Sequence, residues 1–217
     1  MKIVCVADTH NQHEKLTIPK CDVFIHAGDM FCSREPNVNE LINFNSWLGN
    51  VPAKHKLIVA GNHDAIFAKE KKKAIELLTN GVYLEDSAYI IDNIKFYGTP
   101  YHLVDDSWFF GKEREKELKC IYEKIPINTN ILITHAPPFG ILDLKYNARH
   151  AGSRVLRNLI LTENSHSNLF CHIFGHVHEF NNSVEIHRGI KFINCSITGV
   201  GNKWLNHKPF EFIMEEL

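Results

Sequence analysis

Short apolar runs, rich in isoleucine, valine and phenylalanine, recur along the chain at lengths that are typical of buried β-strands. They occupy residues 3–7, 23–27, 57–60, 131–134 and 171–174. Because neighbouring residues in a strand point to opposite faces, a continuous apolar run predicts a strand that is covered on both faces. The chain is therefore expected to contain sheet strands with a packed layer on each side.

Apolar residues at helical spacing separate these predicted strands. They occupy residues 41–48, 74–78, 112–123 and 153–162. Ser153 stands at the start of the last segment and is suited to cap a helix there. Two hairpins are predicted at 90–96 and 184–192, where turn-forming residues lie between apolar runs, and a last strand is predicted at 210–214.

The alternation of predicted strands and helices favours an α/β fold, and the hairpins favour mixed strand directions within its sheet. No repeat, low-complexity tract or long linker divides the sequence. We therefore predict a single domain over residues 1–217.

Composition narrows the choice of partners and compartment. Lysine and arginine number 24 against 25 acidic residues, and the net charge of −1 gives no basic footprint for nucleic acid or an anionic membrane. We expect a small substrate, and neither nucleic acid nor a membrane as a partner. Six cysteines lie scattered without a CxxC pair, and no secretory or transmembrane segment is visible, so we expect a cytoplasmic protein with reduced thiols.

Polar residues follow each predicted strand at the point where the strand ends. The candidate ligands among them are Asp8, His10, Asp29, Asn62, His135, His176 and His178. In open α/β sheets, the loops at the carboxyl ends of the strands converge on one crevice. The sequence therefore predicts that these side chains meet at a single site.

Aspartate, histidine and asparagine together are typical ligands of divalent ions such as Mn²⁺, Fe²⁺ or Zn²⁺. Seven ligands exceed what one ion needs, so we predict two divalent metal ions, with Mn²⁺ favoured in vitro, that share the carboxylate of Asp29. Asp8 and His10 would share a face if the first strand continued through them. A glycine precedes Asp29, Asn62 and His176, and it would allow a tight turn at each.

The motifs D-x-H, G-D, G-N-H-D, H and G-H-x-H, in this order over residues 8–178, resemble the calcineurin-like metallophosphoesterase superfamily. The resemblance implies a β-sandwich of two mixed sheets flanked by helices, in four layers (α/β/β/α). It also implies a ligand assignment in which Asp29 bridges the two ions. One ion is then held by Asp8, His10 and His178, and the other by Asn62, His135 and His176.

A narrower resemblance is to the branch that contains metallophosphoesterase-domain proteins 1 and 2. It is carried by segments 98–101, 135–143, 150–152 and 174–179. That branch is similar to class III phosphodiesterases and implies phosphodiester hydrolysis, including that of cyclic nucleotides. The phosphoprotein phosphatases of the superfamily carry an Asp-Arg-Gly run soon after the bridging aspartate. Here Cys32 stands where their partner aspartate would be, which leaves Asp64 as the alternative carboxylate to orient His63.

Two dications would clamp the attacking and leaving oxygens of an in-line displacement at phosphorus. We predict attack by a metal-bridging hydroxide, with His63 as the general acid that protonates the leaving oxygen. Phe139 and His150 are predicted to contact the substrate. A phosphomonoesterase and a non-catalytic metal-binding scaffold for protein interactions remain the alternatives.

Ligand histidines usually need a carboxylate or a carbonyl on the second nitrogen, and the carboxylates closest in sequence are those of Asp64, Asp143 and Glu179. The remaining histidines that we assign to structural or exposed roles are His26, His55, His166, His172 and His187.

Overall fold

The computed structural model of the protein describes residues 1–104, 108–162, 167–205 and 208–214. In chain order its strands are β1 (Lys2–Val6), β2 (Cys21–Ala27), β3 (Ala53–Val59), β4 (Val82–Tyr83), β5 (Ser87–Ile91), β6 (Ile94–Thr99), β7 (His102–Leu103), β8 (Gly111–Lys112), β9 (Ile131–Thr134), β10 (Cys171–Phe174), β11 (Ser183–His187), β12 (Ile190–Asn194), β13 (Thr198–Gly199), β14 (Lys203–Trp204) and β15 (Phe210–Ile213). Its helices are α1 (Val38–Asn50), α2 (Ala65–Lys69), α3 (Lys71–Leu77), α4 (Glu115–Tyr122) and α5 (Arg154–Leu161).

The strands form two main mixed sheets. The first sheet has the order β15-β1-β2-β3-β4, in which only the pairing of β15 with β1 is antiparallel among the described strands. The second has the order β11-β12-β10-β9-β6-β5, with parallel strands at its centre and the two predicted hairpins at its edges. The predicted mixture of strand directions is therefore confirmed.

The apolar runs are buried on both faces because the two sheets pack against each other and carry helices outside. Ile25 of the first sheet and Ile133 of the second belong to the core between the sheets. Phe44 of α1 packs against the outer face of the first sheet, and Leu156 of α5 packs against that of the second. Each fully buried side chain of this size stabilises the fold by about 2 kcal/mol. The predicted four-layer architecture is confirmed.

Local signals set the position of α5. The Ser153 side chain accepts a hydrogen bond of 3.1 Å from the backbone N–H of Leu156, as a helix cap does. Strands β9 and β10 end at the predicted residues, Thr134 and Phe174, so that His135 and Gly175 follow them directly. None of the described helices has the length and apolar character that crossing a bilayer requires.

Candidate metal centre

The turn after β1 differs from the sequence prediction. The strand ends at Val6, and the residues beyond it adopt positive φ angles, 57° at Asp8 and 43° at His10. The strand does not continue through these residues, so the condition under which the two side chains would share one face of a strand is not met. They reach the site because this turn lies along the turn after β2, with His10 N–H donating to the Asp29 carbonyl at 3.1 Å.

Asp64 ties the loops after β2 and β3 together. Its buried carboxylate accepts backbone hydrogen bonds from Asp29 at 2.9 Å and Gly61 at 2.7 Å through one oxygen. The other oxygen accepts from Phe31 at 3.1 Å. Three amides occupy this carboxylate, and the Nδ1 atom of His63 has no hydrogen-bond partner among the described residues, so the prediction that Asp64 orients the ring of His63 was wrong.

One group of ligand atoms converges on the side-chain oxygen of Asn62. The Asn62 Oδ1 atom lies 2.9 Å from both His135 Nε2 and His176 Nδ1. His135 Nε2 lies 3.4 Å from Asp29 Oδ1. These atoms come from the ends of β3, β9, β10 and β2, as the strand-end pattern predicts.

A second group contains Asp8, His10 and His178, whose ligand atoms lie within 4.8 Å of one another. Asp8 Oδ1 is 3.4 Å from His178 Nε2, and His10 Nε2 is 3.9 Å from Asp29 Oδ2. Asp29 thus turns one oxygen toward each group. The seven residues that the sequence singled out all lie in this one cluster.

Backbone carbonyls, and not carboxylates, hold the rings from behind. The Nδ1 atoms of His10, His135 and His178 lie 3.1, 3.0 and 3.1 Å from the carbonyls of Phe31, Ala27 and Gly199. A carbonyl can only accept a hydrogen bond, so each Nδ1 carries a hydrogen and each Nε2 is the nitrogen that can bind a metal ion when the ring is neutral.

The carboxylates proposed for this role have other partners. Asp64 binds three amides, as described above. Glu179 accepts a hydrogen bond from the backbone N–H of Tyr146 at 2.8 Å, and Asp143 pairs with His150 at 2.8 Å. The prediction that these three residues support the ligand histidines was therefore wrong.

The electrostatics of the cluster favour a cation. Burial acts to lower the pKa of His135, but the neighbouring carboxylates of Asp29 and Asp8 outweigh it and raise this pKa to about 9. Burial acts to raise the pKa of Asp29, and His135 and His10 outweigh it, so that the pKa lies well below its usual value. Positive charge is stabilised here although the residues are buried.

Two buried atoms in the cluster also have no hydrogen-bond partner among the described residues, namely Asp8 Oδ1 and His10 Nε2. An unsatisfied buried carboxylate oxygen or imidazole nitrogen is costly unless a cation or water satisfies it. A divalent ion would satisfy both atoms, and the nitrogen and oxygen donors around them suit such an ion. The residues present therefore fit a two-ion centre.

Two glycines leave the space that the cluster needs. A Cβ atom on Gly61 would lie 2.2 Å from Asp29 Oδ1, and one on Gly175 would lie 2.3 Å from Asp8 Oδ2. Both distances are shorter than any van der Waals contact. The glycines that precede Asn62 and His176 are thus required by close approach.

His63 lies at the border of the cluster. Its backbone N–H donates to Asp29 Oδ1 at 2.8 Å, and its ring centroid is 5.0 Å from that of His10. The other neighbour of the ring is Trp108, at 4.6 Å, which is itself covered by the guanidinium of Arg34 at 3.9 Å. His63 therefore joins the ligand cluster to an aromatic surface.

A cleft of about 220 Å³ opens beside the cluster. Its lining residues are Asn62, His102, Leu103, Val104, Trp108, Lys145, Asn147, Arg149, His150, Ala151 and His176. Asn62 and His176 are candidate ligands, so the cleft gives access to the metal centre.

His102, Trp108 and Lys145 are cleft residues that sequence reasoning missed. His102 is 1% exposed, its Nδ1 is 3.3 Å from the Pro100 carbonyl, and its ring is 5.4 Å from that of His176. The one available signal was its position directly after segment 98–101, which carries part of the family resemblance. Lys145 lies between segments 135–143 and 150–152, which carry other parts of that resemblance, whereas nothing in the sequence near Trp108 points to the site.

Of the two predicted substrate contacts, His150 lines the cleft and Phe139 packs behind it. The two ring centroids are 4.3 Å apart, and the guanidinium of Arg154 lies 3.5 Å from the Phe139 ring. Substrate contact by either residue remains a prediction.

The described histidines among those that we assigned to structural or exposed roles have partners other than the candidate ligands. His26 and His172 are buried against threonine hydroxyls at 3.0 and 2.8 Å, and His187 pairs with Glu185. His55 is half-buried beside Tyr89. His166 is outside the described residues.

A family model described as calcineurin-like phosphoesterase matches residues 1–180 of the chain. Metallophosphoesterase domain-containing protein 1 of Homo sapiens is 33% identical over 202 residues, which cover 82% of this chain and 60% of the human protein. The UPF0046 protein K07C11.7 of Caenorhabditis elegans is 34% identical over 226 residues, covering 98% and 74% of the two chains. The solved structure of phosphopantetheinyl hydrolase from Mycobacterium tuberculosis shares the fold at 15% identity, with a TM-score of 0.64 and coverage of 91% and 89%.

Proposed function

This chain belongs to the calcineurin-like phosphoesterase family, and we propose that within this family it hydrolyses phosphodiesters. Membership makes it a metal-dependent phosphoesterase with a dinuclear divalent metal centre. The finer assignment, to diesters, rests on the cleft beside that centre.

In the proposed centre, Asp29 would contribute to the binding of both ions, because its two oxygens face different ligand groups. Asp8, His10 and His178 complete one set, and Asn62, His135 and His176 complete the other. When bound, two divalent ions lower the pKa of coordinated water and neutralise charge that develops on the phosphoryl oxygens. Mn²⁺ is our choice for activity in vitro, since the ligands are borderline to hard.

His63 is the proposed proton donor to the departing oxygen. Its ring is next to the ligand cluster, and its Nδ1 has no partner among the described residues, so carbonyls do not hold this ring as they hold those of His10, His135 and His178. An alkoxide is a poor leaving group, and general acid help contributes on the order of 10²–10⁴-fold. Trp108, which packs on His63, limits the freedom of the ring and offers an apolar surface for the departing group.

The diester assignment rests on one observation, which is that two separate chain segments line the cleft beside the ligands. From the ligands Asn62 and His176 it continues along Trp108 on one segment and along 145–151 on another. A monoester has one organic arm, and a diester has two. Two surfaces beside the phosphoryl position therefore favour a diester.

The test compares bis(p-nitrophenyl) phosphate with p-nitrophenyl phosphate at equal concentrations of Mn²⁺-loaded protein. We expect the diester to be hydrolysed with the larger kcat/KM, and a chelator to remove both activities. Faster hydrolysis of the monoester would replace this proposal by a phosphomonoesterase. Tight Mn²⁺ binding with no hydrolysis of either compound would indicate a metal-binding scaffold.

A further inference from the structure

A short turn that follows β9 brings charged groups to the cleft wall. The backbone N–H of Lys145 donates to the carbonyl of Arg149 at 2.9 Å, and Leu144 bridges to His150 as an antiparallel pair. Lys145 and Arg149 thus stand across the base of one closed turn, and both line the cleft. Within the described ranges, neither side chain forms an ion pair with an acidic group.

His150, the next residue, is held from behind by a buried carboxylate. Asp143 is 2% exposed, and its two oxygens accept from His150 Nδ1 at 2.8 Å and from the Gly152 backbone N–H at 3.1 Å. Phe139 packs on the face of the imidazole. Because Nδ1 faces Asp143, Nε2 is the ring nitrogen that remains available to a ligand.

A buried carboxylate that fixes a half-exposed histidine is costly to build, since Asp143 must leave water. His150, Lys145 and Arg149 line the cleft wall beside which the second arm of the diester would lie. They have no part in the proposed proton transfer, because the proton donor, His63, lies beside Trp108 on a different segment. Two cations and a fixed imidazole side by side are a common means of binding a phosphate group.

We propose that Lys145, Arg149 and His150 form a second anion-binding subsite, so that the preferred substrates are diesters whose retained arm carries a further phosphate group. This inference rests on the proposed function for the identity of the reacting group. The departing arm of the substrate is placed beside His63 and Trp108, so the arm that stays on phosphorus is the one placed against Lys145, Arg149 and His150.

Binding measurements test the subsite without turnover. By calorimetry with Mn²⁺-loaded protein, we expect thymidine 3′,5′-bisphosphate to bind about tenfold more tightly than thymidine 5′-monophosphate, as one or two charge-assisted contacts would give. In the double variant Lys145→Gln/Arg149→Gln this ratio should fall to about one. The double variant Lys72→Gln/Lys116→Gln removes the same charge from exposed helical positions and should keep the wild-type ratio.

Equal affinities for the two nucleotides in the wild type, or an unchanged ratio in the Lys145→Gln/Arg149→Gln protein, would overturn the proposal. A His150→Gln protein with the wild-type ratio would remove His150 from the subsite. Circular dichroism of each variant distinguishes lost contacts from lost folding.

Turnover of a matched pair of diesters separates this inference from the proposed function. Thymidine 5′-(p-nitrophenyl phosphate), with and without a 3′-phosphate, releases the same leaving group. The subsite predicts a lower KM for the 3′-phosphorylated compound. Hydrolysis of both with equal KM would refute the subsite and leave the phosphodiesterase assignment intact, whereas no hydrolysis of either, with the binding ratio preserved, would do the reverse.

Discussion

His135 and His172 are both fully buried, and His135 directly follows β9 while His172 lies in the neighbouring parallel strand β10, yet the two have opposite acid–base properties. Burial alone lowers the pKa of His172 to about 3. Burial acts on His135 too, but Asp29 at 3.4 Å and Asp8 raise its pKa to about 9. The two pKa values differ because the neighbours of the rings differ. His172 contacts the hydroxyl of Thr134, whereas His135 lies beside the carboxylates of Asp29 and Asp8.

The comparison shows how a histidine-rich sequence separates core histidines from ligands. A neutral imidazole is accommodated in the core when one nitrogen has a hydroxyl or carbonyl partner. Beside two buried carboxylates the same ring is stabilised as a cation, and a metal ion can take the place of that proton. Carboxylates at the same strand ends therefore mark the ligand histidines better than burial does.

Removing the shared carboxylate should have the largest effect. In Asp29→Asn we expect kcat/KM for bis(p-nitrophenyl) phosphate to fall by roughly 10³-fold, because both ligand groups lose their common anion. The Mn²⁺-dependent rise in Tm should also shrink, since less cation binds the folded state. Asp92→Asn, in an exposed hairpin turn, is the matched control, and full activity in Asp29→Asn would refute the bridging role.

His63 is neither a core histidine like His172 nor a candidate ligand like His135, because it lies beside the cluster and its Nδ1 has no partner among the described residues. Removing its ring tests whether it protonates the leaving group. For diesters with alkyl leaving groups, His63→Ala should lower kcat by about 10²-fold, and for p-nitrophenolate by much less. The slope of log kcat against leaving-group pKa measures this. An equal loss for all leaving groups would contradict the general acid assignment, and His55→Ala serves as the control.

Gly61→Ala tests whether the ligand geometry depends on close approach. Its Cβ would collide with Asp29 Oδ1 at 2.2 Å and with the Asp29 backbone nitrogen at 2.4 Å. We expect a loss of about 2 kcal/mol in the free energy of unfolding and a reduced metal content. In Gly49→Ala, within α1, the new Cβ meets only the flexible Asn80 side chain at 3.0 Å, and helix propensity favours alanine. Equal metal content and stability in both variants would argue against this role of Gly61.

The smallest expected effect concerns the core histidine. The pKa of His172 is about 3 when folded and about 6.5 when unfolded, so its stabilising contribution is complete above about pH 6.5 and is lost as the pH falls toward 3. Its contribution to the slope is up to about 1.4 kcal/mol per pH unit. Urea unfolding between pH 7 and pH 5 should therefore show a shallower slope for His172→Gln, and an unchanged slope for His187→Gln. A wild-type slope in His172→Gln would place the titration elsewhere.

Much of the fold and of the site could be predicted because the signals are local. The strand-length apolar runs are followed by Asp, Asn or His, and this pattern predicted six of the seven clustered residues, whereas His10 depended more on the family resemblance. Strands β9 and β10 end where the pattern predicts. Periodicity and a capping serine located α5.

The errors arose where backbone conformation and long-range packing decide. The positive φ angles at Asp8 and His10 are invisible in an apolar pattern, so the path of the turn after β1 could not be predicted. Asp64 is adjacent to His63 in sequence, but its oxygens accept from amides of two other turns. His102 and Lys145 reach the cleft only through packing between distant segments, which the sequence does not encode locally.

The candidate ligands also divide between the two sheets. Strands of the first sheet are followed by Asp8, His10, Asp29 and Asn62, and strands of the second by His135, His176 and His178. Contacts such as Asp8 with His178 and Asp29 with His135 therefore cross from one half of the sandwich to the other. A nascent chain has only half of this site until residue 178 has been synthesised and the second sheet has docked. Binding of metal ions by both ligand groups would therefore require the two sheets to have docked, and ions held at this seam would link the two halves of the sandwich.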